Sequence, residues 1–280
     1  MIDRQKVYVL TGCASGIGRA TAHRIATAGA RLVATDVDLE ALQRTAAEGA
    51  WPEATTELLH HDVRDPEAWE QLLDGVEARH GRLDVVMNIA GVLKPGFVHQ
   101  TTAAEVDFHF DINVKGVLHG TRAAAVRMVR RGSGHIINMA SLASLAPIPG
   151  LALYSASKFA VRAYSMAAAQ ELACQGVAVT AMCPDAVATP MLELQKEHEA
   201  AALTFTAPRF LSPEEIADHL TGAVLTRRPR LLVIPRWRGW LARAADMMPW
   251  LTKILTPRLT RQGLSRLHAM RRMTQSAGKF

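Results

Sequence analysis

The residues of this chain with the clearest chemical potential stand in its second half. Tyr154-Ser155-Ala156-Ser157-Lys158 places a phenol and an ammonium at i and i+4 at the start of a strongly helical stretch, so both project from one helix face. A free tyrosine titrates near ~10, and a neighbouring cation favours its phenolate and draws that value toward the working pH. Such a pair can take a proton from a hydroxyl or return one to a carbonyl oxygen. Ser141, thirteen positions before Tyr154 and just past an apolar run, offers a hydroxyl that can orient the same oxygen. Asn113, after Asp111-Ile112, is polar inside a mostly apolar helical face, suited to binding main chain or a water that leads to Lys158. Taken singly, each has a plainer reading: the Tyr/Lys spacing arises by chance, Ser141 caps a turn, and Asn113 is a satisfied core amide.

A second set of residues near the N-terminus supplies a partner for that proton chemistry. The apolar run 6–11 empties into Thr11-Gly12-Cys13-Ala14-Ser15-Gly16-Ile17-Gly18, and a helical pattern follows from Arg19. Glycine permits the tight turn and lets a pyrophosphate approach N–H groups at a helix N-terminus, where the dipole favours negative charge. The order strand, glycines, helix is that of a dinucleotide site, with Gly12, Ser15, Gly16, Ile17 and Gly18 as the expected contacts. Asp36 lies about twenty residues beyond the loop, at the end of the second strand, where a carboxylate accepts hydrogen bonds from a ribose hydroxyl pair. A 2′-phosphate there meets like charge. NAD is therefore expected over NADP, with Arg19 the basic group that can compensate. Asp62 and Val63, after the third strand, and Asn88, Ala90 and Gly91, after the fourth, stand at carboxyl ends of strands and are expected to line the cofactor. The neighbouring His60 and His61 lack partners at metal-ligand spacing and read as strand and edge residues, so no metal is expected.

These residues need a frame that brings strand ends together. Short Val/Ile/Leu-rich runs at 6–11, 31–36, 56–61, 83–89, 134–140, 177–183 and 231–234 alternate with helical patterns at 16–28, 39–48, 66–80, 102–130, 153–175 and 213–226. This alternation predicts an α/β fold: a Rossmann-type, doubly wound, seven-stranded parallel sheet with helices on both faces. The last helix has a clear start, with Ser212 as cap, Pro213 in the first turn and Glu215 where a capping-box acid belongs. The stretch 185–211 follows a strand end, where ligands bind in open α/β sheets, and reads as a substrate loop. Its Leu192, Leu194, Leu203, Phe205 and Phe210 point to an apolar substrate such as a lipid, steroid or aromatic alcohol.

The composition fits one such domain. The chain has 280 residues, 49% hydrophobic and 21% charged, enough for a large core. Cys13, Cys174 and Cys183 show no framework spacing and read as reduced thiols of a cytoplasmic protein. No export leader is evident at the N-terminus, and no apolar run approaches the ~20 residues needed to span a bilayer. The net charge of +6 is unevenly spread: residues 236–280 hold ten Lys or Arg against one acid, Asp246, leaving the remainder at −3. The chain thus divides into a catalytic domain over 1–235 and a basic amphipathic extension over 236–280. Trp237, Leu241, Ala244, Ala245 and Met248 recur there at helical spacing until Pro249, and further helical pieces are expected at 250–255 and 259–273. Such a stretch suits an anionic membrane surface, a neighbouring subunit or domain, or closure over the active site. No nucleic-acid-reading motif accompanies the charge.

The combination of T-G-x-x-x-G-x-G (Thr11 to Gly18), N-x-A-G (Asn88 to Gly91) and Y-x-x-x-K (Tyr154 to Lys158), over roughly residues 5–235, resembles the short-chain dehydrogenase/reductase family. The resemblance implies that Ser141, Tyr154 and Lys158 are catalytic and that Asn113 completes a tetrad. It implies that Lys158 binds the nicotinamide ribose, that Asp62 contacts adenine, and that Val187 and Thr189, after Pro184, hold the carboxamide. It further implies a homodimer or homotetramer through the helices at 102–130 and 153–175. One departure stands out: where the family has Pro-Gly after the sixth strand, this chain has Pro184-Asp185, which puts the entrance of the substrate pocket in question. The expected function is NAD-dependent hydride transfer between nicotinamide and a secondary alcohol or ketone. A non-catalytic nucleotide-sensing or scaffold protein of the same fold, and a membrane-recruited module acting through the tail, stay open as alternatives.

Overall fold

In the computed structural model, which describes residues 2–277, strand β1 (Val7–Thr11) is buried along its whole length. Its alternating side chains therefore feed two cores. Tyr8 and Leu10 join Ile25, Leu32, Leu42, Met87 and Ile216 on one side of the sheet; Val7 and Val9 join Trp69, Leu73, Val86 and Met128 on the other. Around it lie β2 (Arg31–Asp36), β3 (Thr56–His60), β4 (Val85–Asn88), β5 (Gly134–Met139), β6 (Val177–Pro184) and β7 (Leu231–Ile234). All pairings are parallel, in the order β3-β2-β1-β4-β5-β6-β7. Leu10 pairs with Ala34 on one side and Met87 on the other, so the chain's direction of winding reverses at β1. That reversal opens a crevice at the carboxyl ends of β1 and β4.

Helices α1 (Gly16–Thr27), α2 (Leu39–Glu48) and α3 (Pro66–His80) fall where the sequence pattern put them, apart from frayed ends. Three expected helices are less regular than their periodicity suggests. The stretch 102–130 is α4 (Ala103–His109), a π-helical turn Phe110–Lys115, and α5 (Gly116–Arg131). The stretch 153–175 is α6 (Ala152–Glu171) closed by a 3₁₀ turn Ala173–Gln175. The segment 185–211 contains α7 (Pro190–Gln195) and a 3₁₀ stretch Glu199–Thr206. Further on, 213–226 becomes α8 (Pro213–His219), a π turn Leu220–Val224, and α9 (Leu225–Arg227). Its start carries the expected capping box: Ser212 Oγ accepts from Glu215 N at 3.0 Å and the Glu215 carboxylate accepts from Ser212 N at 2.7 Å.

The extension forms α10 (Arg236–Met247) and α11 (Pro249–Ala277). The pieces expected at 250–255 and 259–273 are one helix that runs through Pro257, where proline forfeits a backbone hydrogen bond. The extension is not detached. Leu267 of α11 is fully buried among Leu93, Leu151, Leu192, Ala201 and Phe205, and Arg266 Nη1 donates to Ala207 O at 3.0 Å. At Gly263 a Cβ would stand 2.0 Å from Ala202 O, so the helix backbone rests directly on the 3₁₀ stretch. Helix α10 sits on β7 through Gly239, whose Cβ would meet Val233 at 2.7 Å. Trp237, Leu241 and Met248 of its apolar stripe are exposed.

Gly263→Val is expected to lift α11 off the substrate segment without unfolding the sheet. Tryptic cleavage within 258–272 should quicken by about tenfold or more, while the melting point of the domain moves by only a few degrees; unchanged proteolysis would contradict this packing.

Candidate active site

The turn after β1 is held to the turn after β4. Thr11 Oγ1 accepts hydrogen bonds from Ile89 N and Ala90 N, both at 3.1 Å. Gly12 adopts φ +73°, and a Cβ there would lie 2.9 Å from Ala90 Cα; one at Gly18 would lie 1.8 Å from Gly12 O. No other residue type lets the turn, the first turn of α1 and the β4 turn lie so close. Ser15 stands at the N-cap of α1 without capping it by its side chain, and no acid occupies the first turn. The first N–H groups of α1 are therefore available to an anion in the adjoining cleft.

That cleft, of about 560 Å³, runs from the glycine turn to α6, and Gly12, Ser15, Gly16, Ile17 and Gly18 line one end. Asp36 and Asp62 also border it, with Val63, Ala90 and Gly91. Asp36 does more than wait for a ligand: its Oδ2 accepts from Ala14 N at 2.9 Å and its Oδ1 from Asp38 N at 3.1 Å. The carboxylate thus braces the glycine turn and keeps acceptor directions for a hydroxyl pair. Asp62 is clamped by Arg64, with Nε at 3.0 Å and Nη2 at 2.6 Å, and this guanidinium beside it holds its carboxyl below the usual carboxylate range. Asn88 is not at the cleft. It is buried behind β4, donating to Asn138 Oδ1 at 2.7 Å, so it acts on the site through the strand ends.

At the other end Ser141, Tyr154 and Lys158 converge on the same cleft. Ser141 follows β5 and caps a short 3₁₀ turn, its Oγ accepting from Ala143 N at 3.1 Å, and it borders the same cleft as Tyr154. The plainer reading of this serine, a turn cap, therefore holds. Lys158 Nζ stands 5.7 Å from the centre of the Tyr154 ring and donates to Met139 O at 2.8 Å. Burial draws the ammonium down to about 8. Burial also pushes the Tyr154 phenol up to about 12, against a smaller opposite pull from Ser141. Desolvation thus decides the direction for both groups.

Asn113 lies in the π turn, buried behind the cleft wall. Its Oδ1 accepts from Val92 N at 2.8 Å and its Nδ2 donates to Val92 O at 2.9 Å and Ser157 Oγ at 3.1 Å. It therefore holds the backbone just past Gly91, where a Cβ would meet Asn113 Oδ1 at 3.1 Å and Lys158 Nζ at 3.3 Å. Ser157, not singled out from the sequence, completes the link by donating to Tyr154 O at 2.7 Å. The serine is the fourth residue of Y-x-x-x-K, and only its contact with Asn113 marks it.

Pro184, Val187 and Thr189 border the cleft, with Ile148, Leu151, Met191, Leu192 and Leu203 toward α6 and the 3₁₀ stretch. Asp185, the departure noted above, accepts from Arg238 Nε of α10 at 2.8 Å, and both side chains reach the cleft. The acid that replaces a glycine is therefore the anchor of the extension. Neither residue of this pair signals the other in the sequence, because fifty-three positions separate them.

The residues at hand fit a dinucleotide: a glycine turn too close for any Cβ, free helical N–H groups, and a carboxylate at the end of β2. Comparison with known proteins agrees. Residues 6–200 match the family described as short chain dehydrogenase. "Probable oxidoreductase EphD" of Mycobacterium tuberculosis is 34% identical over 239 residues, 81% of this chain, but the match spans only 40% of that protein's length. Cyclopentanol dehydrogenase of Comamonas testosteroni is 33% identical over 220 residues, 79% of this chain and 88% of that one. A solved short chain dehydrogenase/reductase of Burkholderia phymatum, in complex with NAD, has a TM-score of 0.78 at 27% identity, covering 90% of this chain and 97% of its own. With the sheet order, the glycine turn and the Ser141, Tyr154 and Lys158 cluster in one cleft, this chain belongs to the short chain dehydrogenase family.

Proposed function

We propose that this protein is an NAD-dependent oxidoreductase that interconverts a secondary alcohol and its ketone. The observation that carries the reading is that one cleft joins a phosphate-accepting glycine turn to the Ser141, Tyr154 and Lys158 cluster. When bound, the nicotinamide cofactor supplies or accepts the hydride. The chain's own residues do the rest. Gly12, Ser15, Gly16, Ile17 and Gly18 hold the diphosphate, Asp36 takes the adenine-side ribose hydroxyls, Asp62 and Val63 flank the base, and Ala90 and Gly91 form the floor. Pro184, Val187 and Thr189 hold the carboxamide side. Tyr154 gives its phenolic proton to the substrate oxygen in reduction and takes it back in oxidation, and Ser141 orients that oxygen. Lys158 holds the nicotinamide-side ribose and presents its charge near the phenol, while Asn113 keeps Val92 and Ser157 in place behind them.

NAD is favoured over NADP because the carboxylate of Asp36 borders the cleft, and Arg64, a cation that also borders it, is already spent on Asp62. An apolar substrate is favoured because Ile148, Leu151, Met191, Leu192 and Leu203 face the reacting end; the Comamonas relative's action on cyclopentanol is in keeping with a secondary alcohol. Assembly as a homodimer or homotetramer in the cytoplasm belongs to the same proposal.

Tyr154→Phe should lower turnover by about 10²-fold or more across a panel of cyclic and long-chain ketones, with NADH binding, read by its fluorescence, retained. Activity that survives this change undamaged would sink the mechanism. Asp36→Ser removes the like charge that a 2′-phosphate meets, so the kcat/KM ratio of NADP to NAD should rise by about tenfold or more; an unmoved ratio would show that Asp36 serves only the glycine turn.

The pH dependence follows from the raised Tyr154 value. A phenol pushed up to about 12 keeps its proton throughout the neutral range, so the form that reduction needs is fully present there and the phenolate that oxidation needs is scarce. Alcohol oxidation should therefore climb with pH between about 6 and 9, by up to about tenfold per unit, while ketone reduction does not rise. An oxidation rate flat over that window would mean that another group takes the proton.

A further inference from the structure

Helix α10 shows solvent the side that a helix of this composition normally hides. The face it lays on β7 is built from small residues: Gly239, whose Cβ would touch Val233, and Ala242, packed at the edge of the core beside it. The opposite face carries Trp237, Trp240 and Leu241, exposed by 51%, 67% and 56%. The apolar surface continues past the bend through Met247, Trp250 and Ile254, exposed by 82%, 64% and 53%. Singly exposed apolar residues need no explanation, but three exposed tryptophans and three more exposed apolar side chains gathered on two successive helices mark an interaction surface. Trp51 and Trp69, the other two tryptophans, are buried.

The charges around the patch choose its occupant. Between 236 and 261 stand Arg236, Arg238, Arg243, Lys253, Arg258 and Arg261, and Asp246 is the one acid. The guanidinium of Arg243 lies 5.8 Å from the Trp240 ring and that of Arg238 lies 5.7 Å from the Trp237 ring, so cations rim the aromatic surface. A second copy of the chain is a poor occupant. In a two-fold contact the patch faces itself, and cations would meet cations with Asp246 alone to offset them. A spanning insertion is also a poor match, since among the described residues no helix is long and apolar enough to cross a membrane.

We infer that α10 and the first turns of α11 dock this protein on an anionic lipid surface. The helix lies in the plane of the headgroups, the tryptophans, Leu241 and Met247 enter the boundary with the acyl chains, and Arg236, Arg243, Lys253, Arg258 and Arg261 meet lipid phosphates. The docked helix also holds the rim of the cleft, because Arg238 joins it to Asp185. An apolar alcohol or ketone released from the lipid would then reach the cleft with little passage through water; this last consequence alone rests on the function proposed above.

The test is sedimentation of the full chain with vesicles of phosphatidylcholine alone and with about 30% phosphatidylglycerol. Most of the protein should pellet with the anionic vesicles and little with the neutral ones, and binding should fall as salt is raised from about 0.05 to 0.5 M. The variant Trp240→Ser/Leu241→Ser/Trp250→Ser should weaken pelleting by about tenfold or more, with circular dichroism unchanged. Arg243→Glu/Lys253→Glu should weaken it on anionic vesicles. Absence of pelleting on anionic vesicles, or full pelleting by the triple-serine variant, would overturn the inference, as would light scattering that shows these serines splitting a dimer. None of these readouts involves turnover, so a failed hydride-transfer assay leaves the docking result standing and the reverse holds as well.

Discussion

Everything at the site depends on how closely the turn after β1 approaches the turn after β4. The winding of the sheet reverses at β1, so α1 and the β4 loop leave in different directions and a crevice opens between them. Thr11 closes the base of that crevice by accepting two N–H groups from Ile89 and Ala90. Gly12 then passes so near Ala90 that a methyl group cannot fit. A side chain at Gly12 would add the strain of positive φ to a backbone clash. The cost would fall on both halves of the cleft, because Asp36 braces the first turn through Ala14 while Asn113 braces the second through Val92.

The reacting end is governed by a contest between burial and charge. Taking a phenol out of water raises its pKa, and taking an ammonium out of water lowers its own. Placed in the same dry wall, Tyr154 and Lys158 are each pushed toward neutrality. Lys158 relieves part of its desolvation by donating to Met139 O, so its charge points to the end of β5 as much as to the phenol. Ser141 works in the opposite sense on Tyr154 but is the smaller effect. The pair is consequently set as a proton donor first, the state suited to a carbonyl oxygen entering the cleft.

What could be read in the sequence was whatever has a short period or a local signature. Central strands buried on both faces appear as continuous apolar runs, and all seven strands lay where the sequence pattern put them, although β3 at the sheet edge is only partly buried. The capping box at Ser212 and Glu215 is complete within four residues, so it too was visible. The π turns were not, because one extra residue in a turn leaves apolar spacing nearly unchanged; yet the turn at Phe110–Lys115 is what aims Asn113 at Val92. Ser157 and Arg64 were missed for a related reason, since each acts through a partner that the chain brings near only on folding or turning. The burial that raises the Tyr154 phenol was not legible either, because sequence spacing reports a neighbouring charge and not the loss of water around it.

The extension shows why periodicity cannot by itself assign a helix face. Spacing put Trp237, Leu241 and Met248 of the tail on one stripe, and a stripe of that kind is ordinarily a core contact. On α10 the buried side is instead chosen by fit: β7 leaves room for Gly239 and Ala242 but not for an indole. The helix is then fixed at its first turn by the Arg238 and Asp185 ion pair, both partners largely shielded from water. Further along, Gly263 and Leu267 of α11 fasten the extension to the substrate segment. Asp185 is thus the point where two departures meet, an acid in place of a glycine at the cleft and a basic helix beyond the last strand, and each gives the other its reason. A glycine at 185 would leave Arg238 with no anion and the rim of the cleft with one fewer tie to the helix whose apolar face looks outward.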